Sequence, residues 1–398
     1  MSRSAKSRSA AGTPTRTTLP ACSAARQDKR RENTRRAWKR ERTGMRKMDL
    51  RIRNMRRFIV VAVCVVCASA NLGLSSCSKS KTPAADRSPM IGLALDSLVV
   101  ERWRRDVDSF TKAAHDLGAE VVLRVANQDA NTQIAQVREL LNQGIDVLVI
   151  IPNDAEKLSD ICREAKRKGV PLMSYDRLVH NANVDVYISF DNEKVGSLQA
   201  QALTEVVPEG NYVIINGAIT DNNAYMINKG FHAVLDPLIA AGKIHLLEEI
   251  WPSDWMSDEV RTRFEALVKS GQKIDAVPCG NDMFAETVIS VLSENRMVGK
   301  TKVTGQDAEL AACQRIAEGS QFATIYKPID ALALKAAGFA VMMAHGEKID
   351  YDNKIDDGRY KVPYIALEPI LVTAQTLEST VIKDAFHTRE DVYRNVKR

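Results

Sequence analysis

Cysteine is scarce in this 398-residue chain: there are seven, and beyond residue 77 only Cys162, Cys279 and Cys313 remain. Three cysteines close at most one disulfide, so the body of the chain must be held by an apolar core rather than by covalent staples. No Cys-x-x-Cys pair and no cluster of His with Cys lies in that body, so no metal site is expected. Long apolar runs are also lacking. The longest, Phe58–Val66 weakening through Leu74, falls short of the ~20 residues a membrane-spanning helix needs. A phosphate-binding loop is missing too. Gly299-Lys300-Thr301 has the ending of one, but the position five residues before Gly299 is Glu294, not glycine. With no G-x-G-x-x-G at a strand–helix turn, no nucleophile elbow, no acid–base pair and no calcium loop, neither a cofactor nor a catalytic residue is expected.

Charge is present but unevenly spread. Residues 1–60 hold 19 Lys/Arg and 4 Asp/Glu, and residues 61–77 hold no charge. The rest carries 37 basic and 46 acidic residues, a net of −9 beneath an overall +6. An acidic body has no electrostatic reason to bind nucleic acid or an anionic membrane surface. The basic start fits export. Arg51, Arg53, Arg56 and Arg57 precede the short apolar run, in the order of a secretory signal. Leu74-Ser75-Ser76-Cys77 closes it and resembles a bacterial lipobox, which makes Cys77 the expected lipidation site and residues 45–77 a lipoprotein signal peptide. Residues 1–44, rich in Arg, Ser, Thr and Ala, read as a disordered extension or as the product of a start codon placed upstream of Met45, Met48 or Met55. Residues 78–89, small and polar with one proline in their first half, read as a tether.

From Met90 short apolar runs alternate with amphipathic stretches. Strands are expected at Met90–Leu95, Glu120–Val125, Asp146–Ile151, Val170–Tyr175 and Asp185–Phe190, with helices over Glu101–Leu117, Asn131–Asn142 and Glu156–Lys168. The rhythm then restarts: strands Asn211–Ile215, His245–Ile250, Ile274–Val277, Lys302–Gly305 and Phe322–Tyr326 alternate with helices Glu193–Val206, Ala224–Ala241, Asp258–Lys269 and Ala285–Glu294. Asp146–Ile151 is almost wholly apolar, as a strand buried on both faces should be. Two such series predict an α/β protein of two doubly wound lobes, each a parallel sheet with helices on both faces. Ligands of such sheets sit at the carboxyl ends of strands.

The polar and aromatic residues that stand out lie just after these strands: nine are Arg102 and Trp103, Asp176 and Arg177, Asn223, Trp255, Asn281, Asp307 and Lys327, with Asn222, Asp282 and Gln306 as their neighbours. Carboxylates accept from sugar hydroxyls, Arg and Lys donate, and amides do both, while indoles suit the apolar faces of a sugar ring. Each residue also has a plain structural reading: Asp176–Arg177 as a surface ion pair, Asn223 and Asn281 as helix caps, Trp103 and Trp255 as core.

Around these positions the chain resembles the periplasmic D-xylose-binding proteins of bacterial ABC transporters. The shared stretches include E-R-W at Glu101–Trp103, D-V-L-V-I-I-P at Asp146–Pro152, Y-D-R at Tyr175–Arg177 and Y-I-S-F-D-N-E-K-V-G at Tyr187–Gly196. They continue with D-N-N-A at Asp221–Ala224, W-x-x-x-W at Trp251–Trp255, G-Q-D-A at Gly305–Ala308, Y-K-P at Tyr326–Pro328 and V-I-K-D-A-F-H at Val381–His387. The resemblance implies the type I periplasmic binding protein fold, two Rossmann-like lobes joined by a three-crossover hinge. It places residues 90–190 and 327–368 in an N-terminal lobe, 191–326 and 369–388 in a C-terminal lobe, and 389–398 in a tail. It implies that all nine residues contact D-xylose, with Trp103 and Trp255 on opposite ring faces. It further implies a monomer that serves an ABC permease and ATPase from the periplasm or cell surface. Pro278-Cys279-Gly280 before Asn281, and Val99 before E-R-W, depart from the family pattern. Another monosaccharide as ligand, or a sensing role beside a membrane kinase or chemoreceptor, stays open. A sugar-responsive transcription factor would need a helix-turn-helix where the signal peptide stands.

Overall fold

The computed structural model describes residues 87–396. The proposed extension, signal peptide, Cys77 and most of the tether lie outside these residues. Two sheets organise the described chain. The first has the order β11-β12-β5-β4-β3-β1-β2 and the second β13-β10-β9-β8-β6-β7. In the first, β1 (Met90–Leu95), β2 (Glu120–Val125), β3 (Val147–Ile151), β4 (Leu172–Tyr175) and β5 (Val186–Phe190) are parallel. In the second, β6 (Gly210–Ile215), β7 (Ile244–Ile250), β8 (Ala276–Pro278), β9 (Lys302–Gln306) and β10 (Ala323–Tyr326) repeat that arrangement. Each five-strand set therefore runs 2-1-3-4-5, a doubly wound order whose switch point lies between its first and third strands.

The expectation of wholly parallel sheets needs correction at the edges. β12 (Lys361–Leu367) joins β5 in parallel, but β11 (Asn353–Asp356) runs antiparallel to β12, and β13 (Ile370–Thr373) antiparallel to β10. These strands come after the βα rhythm has ended. The β11–β12 hairpin turns through Asp357, whose carboxylate accepts from the N–H groups of Arg359 and Tyr360. The chain passes between the sheets three times: after β5, after β10 and after β12.

Helices cover both faces of each sheet. On the first, α1 (Arg102–Asp116) and α9 (Ile329–Ala344) share one core, and α2 (Ala130–Gln143) and α3 (Ser159–Arg167) close the other. On the second, α4 (Asn192–Val206) and α5 (Asn222–Ala240) lie on one face, α6 (Ser257–Lys269) and α7 (Asp282–Glu294) on the other. Glycine lets α4 and α5 touch: a Cβ on Gly196 would sit 1.9 Å from the Ile227 carbonyl oxygen, and one on Gly230 2.0 Å from that of Glu193. The expected helix over Glu156–Lys168 begins only at Ser159. The Asp154 carboxylate takes the N–H groups of Glu156 and Lys157 and holds them in a turn instead. Residues 389–396, expected as a tail, pack on the second lobe. Short helix α10 (Arg389–Val392) buries Val392, and its Asp391 carbonyl accepts from Gln314 on α8 (Leu310–Glu318). Cys162, Cys279 and Cys313 are buried and unpaired.

Candidate functional site

The carboxyl ends of both sheets face one small cleft, the place where ligands of doubly wound sheets sit. All nine residues singled out from the sequence line it, together with Val100, Asp221 and Gln306. They reach it because each follows a strand end. Arg102 and Trp103 open α1 after β1, while Asp176 and Arg177 follow β4. Asn223 lies in the first turn of α5 after β6, and Trp255 lies between β7 and α6. Asn281 caps α7 after β8, Asp307 follows β9, and Lys327 stands on the crossover after β10.

The two lobes present their carboxylates in the same way. Asp176 has φ 60° and Asp307 has φ 93°, left-handed backbone that non-glycine residues rarely adopt. Each donates its backbone N–H to the neighbouring strand, Asp176 to Ile188 and Asp307 to Ile325, both at 2.8 Å. Strained backbone persists only where its surroundings over-determine it, and it concentrates at functional sites.

Six charged residues line the cleft, three of each sign: Arg102, Arg177 and Lys327 against Asp176, Asp221 and Asp307. Arg102 Nη2 lies 2.9 Å from Asp176 Oδ2, and Nη1 lies 3.5 Å from Asp307 Oδ1 across the cleft. Lys327 Nζ is 3.5 Å from the same Asp307 oxygen. Arg177 pairs with Asp221 at 2.7 Å and with Asp96 at 2.9 Å. Burial works against the charge on Asp176, but Arg102, Lys327 and Arg177 together hold its carboxyl below the usual carboxylate value. For Asp106 and Asp221 burial wins: both are raised, although Arg102 opposes the rise at the first and Arg177 at the second. A charge-balanced, buried site suits an uncharged polar ligand, because a net charge would be left unpaired in low dielectric.

Gln306 stood out in the sequence beside Asp307, but Asp221, which lines the cleft, and Asp96 and Asp106, which stand behind Arg177 and Arg102, did not. Asp221 looks in sequence like a helix cap, and it is one, accepting from the Asn223 N–H at 2.9 Å. Its second oxygen also accepts from Trp255 Nε1 at 3.1 Å and pairs with Arg177. Asp106 stands four residues after Arg102 on α1, the spacing of a helical ion pair. That spacing was the signal available for it. Asp96 directly follows β1 and could have been found by the strand-end rule.

The cap readings of the two asparagines part company. Asn281 is an N-cap, its Oδ1 accepting from the Phe284 N–H. Asn223 lies two residues past the cap, Asp221, and donates from Nδ2 to the Asp176 carbonyl at 3.0 Å, bridging the lobes. Trp103 and Trp255 are buried, and Arg177 lies between them, 5.3 Å from one ring centroid and 5.8 Å from the other. Trp255 stacks on Phe284. Its place needs Gly217, where a Cβ would meet the indole at 2.5 Å. Trp103 Nε1 and Gln306 Oε1 are buried without a hydrogen-bond partner in the protein, whereas Asp176 Oδ2 is engaged by Arg102. One is a donor and one an acceptor, the complement of a hydroxyl, which both gives and takes a hydrogen bond.

The model of the periplasmic binding protein domain family matches residues 91–348. The D-xylose-binding periplasmic protein of Haemophilus influenzae is 46% identical over 304 residues, covering 76% of this chain and 92% of that protein. Its namesake in Escherichia coli is 41% identical over 326 residues, 81% of this chain and 99% of the relative. Among solved structures, an ABC transporter solute-binding protein from Clostridium phytofermentans with bound β-D-glucose superposes with a TM-score of 0.72. It is 27% identical and covers 76% of this chain and 99% of that one.

Proposed function

The chain belongs to the periplasmic binding protein family, and from that premise we propose that it captures D-xylose between its lobes and delivers it to an ABC transporter permease. The observation that carries this reading is the composition of the cleft. All nine residues implied by the D-xylose-binding resemblance line one small, charge-balanced cavity, and both lobes contribute to it. The relatives at 41–46% identity that bear this name match over nearly their whole length. Sugar hydroxyls would take the unpartnered Trp103 and Gln306 atoms and share the Asp176 carboxylate with Arg102, while the two indoles offer apolar surface to the ring. Export to the periplasm follows from the same reading, with Cys77 as lipid anchor, and the role is binding rather than catalysis. Closure is a hinge motion at the three crossovers, because sugar contacts lie on both lobes. Calorimetric titration of the purified protein with a panel of pentoses and hexoses tests the assignment. D-xylose should bind most tightly. A hexose that binds while D-xylose gives no heat would overturn it.

A further inference from the structure

Asp307 projects from a turn in which two successive non-glycine residues are left-handed, Asp307 at φ 93° and Ala308 at φ 52°. Such a turn needs bonds that hold it, and it has them on three sides. The Asp307 N–H goes to Ile325. The Ala308 N–H goes to Thr324 Oγ1 at 3.3 Å, and that hydroxyl donates to Asp282 at 2.8 Å. The Ala308 carbonyl lies 2.7 Å from His387 Nε2. Burial holds this imidazole below its ordinary pKa. A neutral ring can donate to a carbonyl only from the nitrogen that carries its proton, which fixes the Nε2–H tautomer.

His387 itself does not line the cleft. It packs edge-on against Phe386 at 4.6 Å, and Phe386 packs on Tyr326 at 4.9 Å. Arg105 of α1 donates to the Phe386 carbonyl at 3.0 Å and lies over its ring. The segment Val381–His387, prominent in the sequence yet without a part in the cleft, is thus fastened to both lobes and ends on the strained turn.

We propose that His387 is a positioning residue for Asp307: its Nε2–H bond to the Ala308 carbonyl keeps the left-handed turn aimed into the cleft, and sugar affinity depends on that bond. The proposal rests on the reading that Asp307 contacts the sugar, and a mutant cycle separates the two. D-xylose affinity is measured by calorimetry for Asp307→Ala, His387→Phe, His387→Gln and the Asp307→Ala/His387→Phe double variant, with melting of the sugar-free protein beside each. His387→Phe should weaken binding roughly tenfold, the scale of one lost hydrogen bond to the native geometry. His387→Gln, which retains a donor at the same reach, should recover most of the loss. In the Asp307→Ala background His387→Phe should cost nothing further, which a purely structural role would not produce. Wild-type affinity in His387→Phe, an equal loss in both backgrounds, or no recovery in His387→Gln would overturn the proposal. Wild-type affinity in Asp307→Ala would instead overturn the site reading beneath it. Should His387→Phe fail to fold, Thr324→Val releases the same turn from its other side and must show the same coupling to Asp307.

Discussion

Replacing Asp221 by Asn perturbs the contact between the lobes with little change in local shape. Asn caps a helix as well as Asp, so the bond from the Asn223 N–H survives and α5 keeps its start. What changes is the second oxygen, which accepts from Trp255 Nε1 at 3.1 Å and pairs with Arg177 Nε at 2.7 Å. An amide oriented for the cap turns its NH2 toward these two donors. Arg177 stands on the first lobe and Asp221 on the second, so the loss falls on the closed form, while an open form would hydrate both groups. Removing one partner of a buried ion pair costs ~3–5 kcal/mol. Arg177 retains Asp96 at 2.9 Å, which places the cost at the low end. About 3 kcal/mol corresponds to roughly a hundredfold weaker apparent affinity for D-xylose. The assay is calorimetric titration, with small-angle scattering at saturating sugar and melting of the sugar-free protein as controls. Scattering should show less compaction than wild type at equal sugar, and sugar-free melting should move little. Affinity within threefold of wild type would refute the idea that this pair holds the lobes together.

Two further outcomes are expected. Burial pushes the Asp282 carboxyl up to about 7 from an ordinary 3.8, so between these values the folded protein binds a proton that the unfolded chain has released. The contribution of Asp282 to stability therefore falls as pH rises from about 4 to 7, by at most ~4 kcal/mol at 1.36 kcal/mol per unit. Chemical denaturation of Asp282→Asn should show a flatter profile across that window, and identical slopes would remove Asp282 as the cause. At the other end of the chain, Cys77→Ala should release the protein from membranes while D-xylose affinity stays unchanged, and a wild-type protein that fractionates as soluble and unlipidated would sink the anchor reading.

The elements of the fold were legible because burial leaves a local trace. Val147–Ile151 is apolar at every position and lies buried at every position. The repeated βα rhythm gave the two doubly wound sheets, and the strand-end rule brought nine scattered side chains to one cleft. The rule worked because polar residues tolerated at a strand's carboxyl end are those with something to bind or cap. It failed for Asp221 and Asp106, whose sequence context already supplied an ordinary explanation, a cap in one case and a helical ion pair in the other. The antiparallel edge strands were missed for a related reason: they follow no helix, so no alternation announces them.

What the sequence determined by itself was local: which segments are strands or helices, which face each buries, and which polar residues end up at strand termini. These depend on neighbours a few positions away, whose periodicity is written along the chain. Which charges meet was decided only by the tertiary structure. Arg102 and Asp307 approach to 3.5 Å although 205 positions separate them. The left-handed turns at Asp176 and Asp307, the neutral balance of three cations and three carboxylates, and the grip of His387 on Ala308 likewise exist only once both lobes have folded and met. Their energies come from desolvation and through-space charge, which depend on distance in the folded protein and leave no periodic mark in the order of residues.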